Sequence, residues 1–413
     1  MAITILKQPD TLNFSRNPVP LAVHTSESDA FFLVEVYVDT DQHYDSSFTK
    51  IATIDLTPDD DGIAYMDAAD ILDAELSYDV PDYSLAAGAW CRQVVKRFYF
   101  IIKEYVDSSL NQTISGSATT RHIIKGGISF EEYPTAGFFS DDYMKDEKLC
   151  MSWLTERTVL PDQKDFLFFL NHTGGQVNQM DLHAKVYFTD GSDSGDYSTS
   201  VATSDIGYEG CVFCFPAGYT QLGIATAAPA KTVSYYELWI EDHSDGSEIS
   251  ARYKFNVDHT YHRNARHYIY ANSMGGMDSL MAIGIADKEY SIEMEEALKL
   301  TPYWYTARQG TRKNFMIRET QTIKARTGYL DEDEMEFLRE FLLSEKKYEI
   351  INAHLQEILV NAKTKVSYGE NDNLRALAFE YNYNFTNRVF TPETLRNITP
   401  VSAPEESSSS SSS

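Results

Sequence analysis

Four cysteines are the residues of this chain best suited to metal or redox chemistry: Cys91, Cys150, Cys211 and Cys214. Cys211 and Cys214 have the C-x-x-C spacing that zinc sites and redox motifs use. Their segment is apolar and typical of a strand, in which residues three apart point to opposite faces. No second C-x-x-C is present, and four cysteines are too few for a disulfide framework in a chain of this size. We therefore expect buried free thiols.

Three histidines, His259, His262 and His267, lie close together in sequence and raise the question of a zinc site. No acidic or thiol partner stands at a recognised spacing. Two cations, Arg263 and Arg266, lie among the histidines. A polar linker is therefore favoured over a metal site.

Two acidic loops carry closely spaced aspartates, the ligands that a hard cation such as Ca²⁺ prefers. They are Asp39, Asp41 and Asp45 in the first loop and Asp190, Asp193 and Asp196 in the second. Neither loop has the glycine and the terminal glutamate of the twelve-residue helix-loop-helix site at the required positions. Solvated turns are favoured, and Ca²⁺ binding stays open.

Catalytic motifs are absent from the sequence. It contains no G-x-S-x-G elbow, no H-E-x-x-H helix, no phosphate loop and no three-glycine dinucleotide turn. Paired carboxylates are common in so acidic a chain and therefore do not indicate a glycosidase. We predict a protein that is not an enzyme and that needs no cofactor.

Composition narrows the class of partner. Affinity for nucleic acids comes largely from Lys and Arg side chains that neutralise phosphates. Because the formal net charge is -27, we expect no nucleic-acid partner. No apolar run approaches the 18 or more residues of a membrane span, and the first residues do not form a signal peptide. The aromatic share of 13% favours strands and contact surfaces.

The rest of the chain is organised around the stretch from Tyr268 to Met281, because a second copy of its residue pattern lies upstream. In each copy an apolar run is followed by Asn, two free positions and Gly-Gly, residues that tolerate the positive φ of tight turns. The predicted turn residues are Asn171, Gly174 and Gly175 in the first copy and Asn272, Gly275 and Gly276 in the second.

The elements around these turns predict a mainly β protein: tandem immunoglobulin/fibronectin-like β-sandwiches followed by an α+β C-terminal domain. The predicted domains are an N-terminal sandwich (1–149), a second sandwich (150–262), an α+β domain (263–396) and a disordered Ser-rich tail (397–413). Strands are predicted at 30–38, 49–56, 96–106 and 120–124 in the first sandwich. The second repeats this plan at 165–170, 181–188, 234–240 and 250–257.

The sequence of the third region predicts one helix. Asp331 is a plausible N-cap, and Met335, Leu338, Phe341 and Leu342 follow at helical spacing. The helix should end near Ser344 and cover a sheet that includes strands 349–351, 356–360 and 374–383.

Four parts of the chain carry a family resemblance: 56–62 with 67–72, 124–129, 272–278, and 325–330 with 341–344. Together they resemble a family of uncharacterised tail- or baseplate-type virion structural proteins encoded by phages and prophages of Bacteroidetes. The resemblance implies a structural subunit without catalytic residues, assembled in the host cytoplasm and found in the virion. It implies other tail or baseplate proteins as partners.

The aromatic run from Thr301 to Arg308 is the predicted assembly contact, with Tyr303, Trp304, Tyr305 and Arg308 as its candidate residues. Contacts within a homo-oligomeric ring favour such side chains. A buried strand is the competing interpretation and is slightly favoured for Trp304. The alternative functions are a glycan-binding or adhesion module, in which aromatics stack on sugars, and a carbohydrate-active enzyme with sandwich domains.

Overall fold

The structure of the chain is a computed structural model. It describes residues 3–40, 47–116, 119–129, 148, 150–171, 179–199, 210–226, 230–300, 303–304, 306, 308, 310–328, 330, 332–361 and 376–389. The predicted Ser-rich tail lies outside these residues, as do Gly174, Gly175 and Tyr305.

The first region forms a β-sandwich with one short helix. Its elements are β1 (Thr4–Lys7), β2 (Leu12–Phe14), β3 (Pro20–His24), β4 (Ala30–Asp39), β5 (Phe48–Leu56), β6 (Ile63–Asp67), α1 (Ala69–Asp73), β7 (Ala89–Cys91), β8 (Val95–Val106), β9 (Ser109–Ser115) and β10 (Arg121–Ile124). The larger sheet has the order β2-β10-β8-β4-β5, and the smaller has the order β1-β3-β6. Alternate valines of β4, Val34, Val36 and Val38, fill the core between the sheets because successive strand residues point to opposite faces.

The second region repeats this sandwich. Its elements are β11 (Glu156–Val159), β12 (Phe166–Leu170), β13 (Met180–Phe188), β14 (Asp193–Thr199), β15 (Val212–Pro216), a 3₁₀ turn (Ile224–Thr226), β16 (Val233–Asp242) and β17 (Tyr253–Val257). The larger sheet, β11-β17-β16-β13-β14, has the strand arrangement of its counterpart in the first sandwich. In both sheets the first strand pairs in parallel with the last, β2 with β10 and β11 with β17.

Equivalent tyrosines mark the repeat at the level of side chains. Tyr37 of β4 stacks on Tyr99 of β8 with 4.9 Å between ring centroids. Tyr187 of β13 stacks on Tyr235 of β16 at 4.3 Å. Both pairs join corresponding neighbouring strands, so the repeat extends from strand order to register.

The third region is a seven-stranded antiparallel sheet covered by one helix. Its elements are β18 (Arg266–Ala271), β19 (Met277–Ala282), β20 (Asp287–Leu298), β21 (Arg312–Arg326), α2 (Glu332–Leu343), β22 (Lys347–Ile351), β23 (His354–Val360) and β24 (Ala378–Tyr383). The sheet order is β19-β18-β22-β23-β24-β21-β20. Met335, Leu338 and Phe341 of α2 are buried against Tyr268 and Phe379 of the sheet, as the helical spacing predicts.

A core shared by all three regions lies between them. Strand β7 leaves the first region and pairs with β15, completing the small sheet β12-β15-β7 of the second. One face of β12 fills the second sandwich, and the other packs against residues of β7 and β18. This two-sided burial explains the unbroken apolar run Phe166–Leu170, which lacks the alternation of a half-exposed strand. The boundaries near residues 149 and 262 stay a prediction.

The predicted fold class, mainly β with sandwiches, is confirmed, but several strands were not predicted, among them β9, β20 and β21. Strand β9 lies in a segment predicted to be a polar loop, because Leu110 and Ile114 are too sparse to give a period-two signal. The long strands β20 and β21 were not predicted at all: every residue of β20 is exposed, and in β21 only the C-terminal part is buried.

Candidate assembly surface

Strands β20 and β21 form a long antiparallel hairpin, here called the ribbon. Pairing runs from Asp287 opposite Lys324 to Leu298 opposite Arg312. The 12 residues of β20 make the ribbon roughly 40 Å long, at about 3.3 Å per residue. Strand β24 pairs with β21 only over Thr322–Arg326, so most of the ribbon extends beyond the body of the sheet.

The base of the ribbon is fixed by burial and by ion pairs. Ile323 and Ala325 are fully buried in the core under α2. The guanidinium of Arg326 donates to Asp287 Oδ2 and to the backbone oxygen of Ile285, both at 2.8 Å. These contacts hold the two strands where they leave the sheet, so the exposed part starts from a rigid support.

One face of the ribbon carries an apolar stripe, defined here as Tyr290, Ile292, Met294 and Ile317. The first three alternate along β20, and Met294 lies directly opposite Ile317, so all four share a face. Their exposed fractions are 52%, 55%, 55% and 45%. A neighbouring Phe315, exposed at 57%, is skipped in the pairing at a β-bulge. The stripe is therefore solvated in the isolated chain.

The two strands of the ribbon carry opposite charge. Acidic residues dominate β20: Asp287, Glu289, Glu293, Glu295 and Glu296. Basic residues dominate β21: Arg312, Lys313, Arg318, Lys324 and Arg326. Arg312 pairs with Glu296 at 3.3 Å, and Lys324 pairs with Glu289 at 3.5 Å. In a chain of net charge -27, a basic strand of this kind is a local exception.

The predicted contact residues lie beyond the far end of the ribbon. Tyr303 is 98% exposed and Trp304 is 79% exposed. Arg308 is also exposed. The expectation of a buried strand for Trp304 is wrong, because no sheet of the described residues covers this segment. The ribbon itself was missed, although the alternation of Tyr290, Ile292 and Met294 with polar residues is the period-two signal that predicts it.

The predicted Asn-Gly-Gly turn lies at the junction of the three regions. The backbone N–H of Asn272 donates to Gly276 O at 2.9 Å, and Gly275 has a φ of 93°. The Nδ2 group of Asn272 donates to Met151 O at 2.6 Å. A Cβ on Gly275 would lie 2.5 Å from Lys125 O, so glycine is required by the close approach as well as by φ. Asn171, its counterpart in the upstream copy, is fully buried.

A buried ion cluster lies beside this turn. Arg157 contacts Asp165 at 3.3 Å and Asp278 at 3.2 Å, and all three side chains are at most 5% exposed. Ser152 donates to Asp278 Oδ1 at 2.8 Å. Burial raises the pKa of Asp165, against the opposing effect of the Arg157 charge. The cluster ties the second sandwich to the third region.

A small cavity of about 210 Å³ lies next to the cluster, lined in part by Tyr270, Leu280 and Phe337. Ligand pockets typically measure about 300 to 1,000 Å³. The Arg157 that reaches its wall is already engaged by two carboxylates. The cavity therefore offers no free charged group from this cluster for chemistry.

Of the candidate metal ligands in the sequence, Asp41 and Asp45 lie outside the described residues. Among the described residues no group of three or more His, Cys, Asp or Glu side chains is placed to hold a metal ion. Asp39 pairs with Arg97 at 2.6 Å, and Asp190 pairs with Lys231 at 3.1 Å. The four cysteines are buried and form no disulfide, and Cys211 and Cys214 lie in different cores. No helix in the described part of the chain is long and apolar enough to cross a membrane.

Comparisons with known proteins give no family. No protein-family model matches the chain, and no curated protein matches it. Two of the similar solved structures are dimeric latent PorU from Porphyromonas gingivalis (9% identity, TM-score 0.17, 78% of this chain and 32% of that one) and E. coli alpha-2-macroglobulin (8% identity, TM-score 0.20, 92% and 31%). Another is CBD12 from CALX1.2, at 8% identity and a TM-score of 0.17, with 60% of this chain and 83% of that chain covered. The chain thus spans about a third of PorU and of the macroglobulin, and the TM-scores are too low to carry an argument.

Proposed function

We propose that the protein is a structural subunit of a phage virion, in the tail or baseplate, that works through protein–protein contacts. The observation that carries the proposal is the apolar stripe of the ribbon. Four large apolar side chains, each about half exposed, lie together on one face of a projecting hairpin. Such a face in contact with water is unfavourable until a partner covers it.

The size of the stripe is compatible with a contact surface. Burying an apolar side chain stabilises by about 1.5 to 3 kcal/mol when it is fully exposed beforehand, so four half-exposed ones contribute on the order of 3 to 6 kcal/mol. That is enough to drive association when other contacts add to it, but not enough alone. The ribbon would then act as one of several contacts of a subunit in an assembly.

Three further features support a structural subunit. The described residues hold no metal cluster, and the cavity beside Arg157 is small. Tandem sandwiches act well as spacers because each has a hydrophobic core between its two sheets. Segments 124–129 and 272–278, which resemble phage virion proteins, pack on each other: Gly127 N–H donates to Ser273 O at 2.7 Å.

A glycan-binding or adhesion module is the second candidate, favoured by the exposed rings of Tyr303 and Trp304. Exposed aromatic side chains can stack on sugar rings. Binding of the purified chain to a glycan array, lost in a Tyr303→Ser/Trp304→Ser variant, would favour this candidate. A carbohydrate-active enzyme would instead show turnover on a polysaccharide panel.

The proposal is tested on the stripe itself. An Ile292→Ser/Met294→Ser variant should keep the wild-type melting temperature, since both side chains are half exposed, but should enter particles several-fold less well. Ser291→Ala/Thr320→Ala, on the opposite face of the same strands, is the matched control and should enter normally. Particle content is measured by mass spectrometry of purified virions of the parent phage. Absence of the protein from those virions would overturn the proposal.

A further inference from the structure

The ribbon has two open strand edges. In the described part of the chain, the outer edge of β20 has no neighbouring strand. The outer edge of β21 is open from Arg312 to Arg318, up to the bridge between Glu319 and Asn387. Open edges present unpaired backbone N–H and C=O groups and serve as templates for another strand.

The two open edges carry opposite charges that are only partly neutralised within the chain. Glu293 and Glu295 of β20 form no ion pair of 4 Å or less with any described residue. The same is true of Lys313 and Arg318 of β21, although Arg318 lies directly opposite Glu293 in the ribbon. The anions lie along one edge and the cations along the other. The acidic edge of one chain therefore attracts the basic edge of another, whereas two acidic edges or two basic edges repel each other.

We propose that a second copy of this chain pairs with the ribbon edge to edge, the acidic β20 of one copy against the basic β21 of the next. The inference rests on the proposed function, because it names the partner of the same surface. Strand pairing brings side chains on one face to within about 4.5 to 5.5 Å across the new edge, where opposite charges stabilise and like charges destabilise. Pairing of β20 with β20, or of β21 with β21, is disfavoured for this reason.

The contact joins two different edges, so it is heterologous and repeats from copy to copy. Such contacts produce a ring if the rotation closes and a filament if it does not. The antiparallel direction within the ribbon continues when β21 of the next copy adds to β20. A register that keeps the charges on one face places the apolar stripes of neighbouring copies together on the other.

Two charge-reversed variants test the pairing in the full chain. One is Glu293→Lys/Glu295→Lys on β20, and the other is Lys313→Glu/Arg318→Glu on β21. Each variant alone has edges of like charge, so its self-association should be at least about tenfold weaker than that of the wild type. Mixed in equal amounts, the variants again offer unlike edges, and assembly should recover. Asp60→Lys/Asp61→Lys, in an exposed turn, makes the same change in net charge as the first variant and should assemble like the wild type.

Mass is measured by light scattering during gel filtration over a range of concentrations, with negative-stain imaging of any assembly. Loss in each variant with recovery in the mixture supports edge pairing and also shows that both variants fold. Normal assembly of either variant overturns the inference, as does a mixture that stays dissociated, a control that fails, or a wild type that keeps the mass of one chain. If virions contain the protein, failure of the edge pairing does not contradict the proposed function. If virions lack the protein, the proposed function is wrong, whether or not the ribbons pair.

Discussion

Glu340 is an acidic residue of α2 that is largely buried at the junction of the three regions. Its carboxyl accepts hydrogen bonds from the N–H and the Oγ of Ser273, at 2.7 and 2.6 Å. Burial, together with the nearby charge of Asp278, raises the pKa of Glu340 from 4.5 to about 7. The helix is thus fastened to the Asn272 turn by a group that titrates near neutral pH.

This shift predicts a pH dependence with a definite sign. The folded state holds the proton of Glu340 more tightly than the unfolded chain does. The stability gained from it is complete below about pH 4.5 and is lost as the pH rises through about 7. The loss is on the order of 3 kcal/mol. Glu340→Gln keeps a neutral acceptor for Ser273 and should abolish this component.

Urea unfolding of wild type and Glu340→Gln at several pH values between 4.5 and 8 measures the effect. The free energy of unfolding of the variant, relative to wild type, should increase by about 2 to 3 kcal/mol across this range. Taking the difference removes the pH dependence of all other groups. A constant difference between Glu340→Gln and wild type across this pH range would contradict the assignment.

At the scale of elements, the helix α2 and the ribbon bury their apolar residues to opposite extents. The helix places Met335, Leu338 and Phe341 in the third core, where each is at most 1% exposed. The ribbon leaves its stripe half exposed. Both elements have one apolar face, but only the apolar face of the helix packs against another surface of the same chain.

Leu338→Ala should therefore destabilise the chain by about 2 to 5 kcal/mol, because it removes a buried side chain and leaves a cavity. Leu343→Ala in the same helix is the matched control. Leu343 is 80% exposed, so its loss should change stability by no more than about 0.5 kcal/mol. Denaturant unfolding followed by circular dichroism distinguishes the two, and equal small effects would mean that α2 does not pack as described.

At the scale of the whole molecule, the shared core couples the three regions. Residues from β7, β12, β15 and β18 meet in it, together with Met274 of the turn and Met277 of β19. The Arg157 cluster adds charged contacts between the second and third regions. A unit that shares buried surface with its neighbours loses part of its own stability when they are removed.

We expect a chain ending at Asp258 to melt at a lower temperature than the full chain or to aggregate. The cut removes Ile269 and Met274 from the shared core and leaves Arg157 without Asp278. Apolar surface of the shared core is then exposed, and Arg157 keeps only Asp165 of its two carboxylate partners. Calorimetry of both chains measures this, and an unchanged melting transition in the shorter chain would show that the first two regions fold independently.

The sequence determined the elements whose residues follow a simple period. Strand β4 alternates, and α2 repeats its apolar residues at helical spacing, so the tandem sandwiches and the helix could be predicted. The Asn272 turn was also readable, because glycine and asparagine tolerate positive φ wherever they stand. These are local effects of backbone geometry and of one-sided burial.

Only the tertiary structure decided which apolar surfaces are covered. The runs Phe166–Leu170 and Tyr290–Met294 are both rich in large apolar residues, yet the first is buried on both faces and the second projects into solvent. The prediction that Trp304 lies in a buried strand was wrong for the same reason. Burial depends on residues distant in sequence, such as β7 pairing with β15 across more than a hundred positions, and no local pattern contains that information.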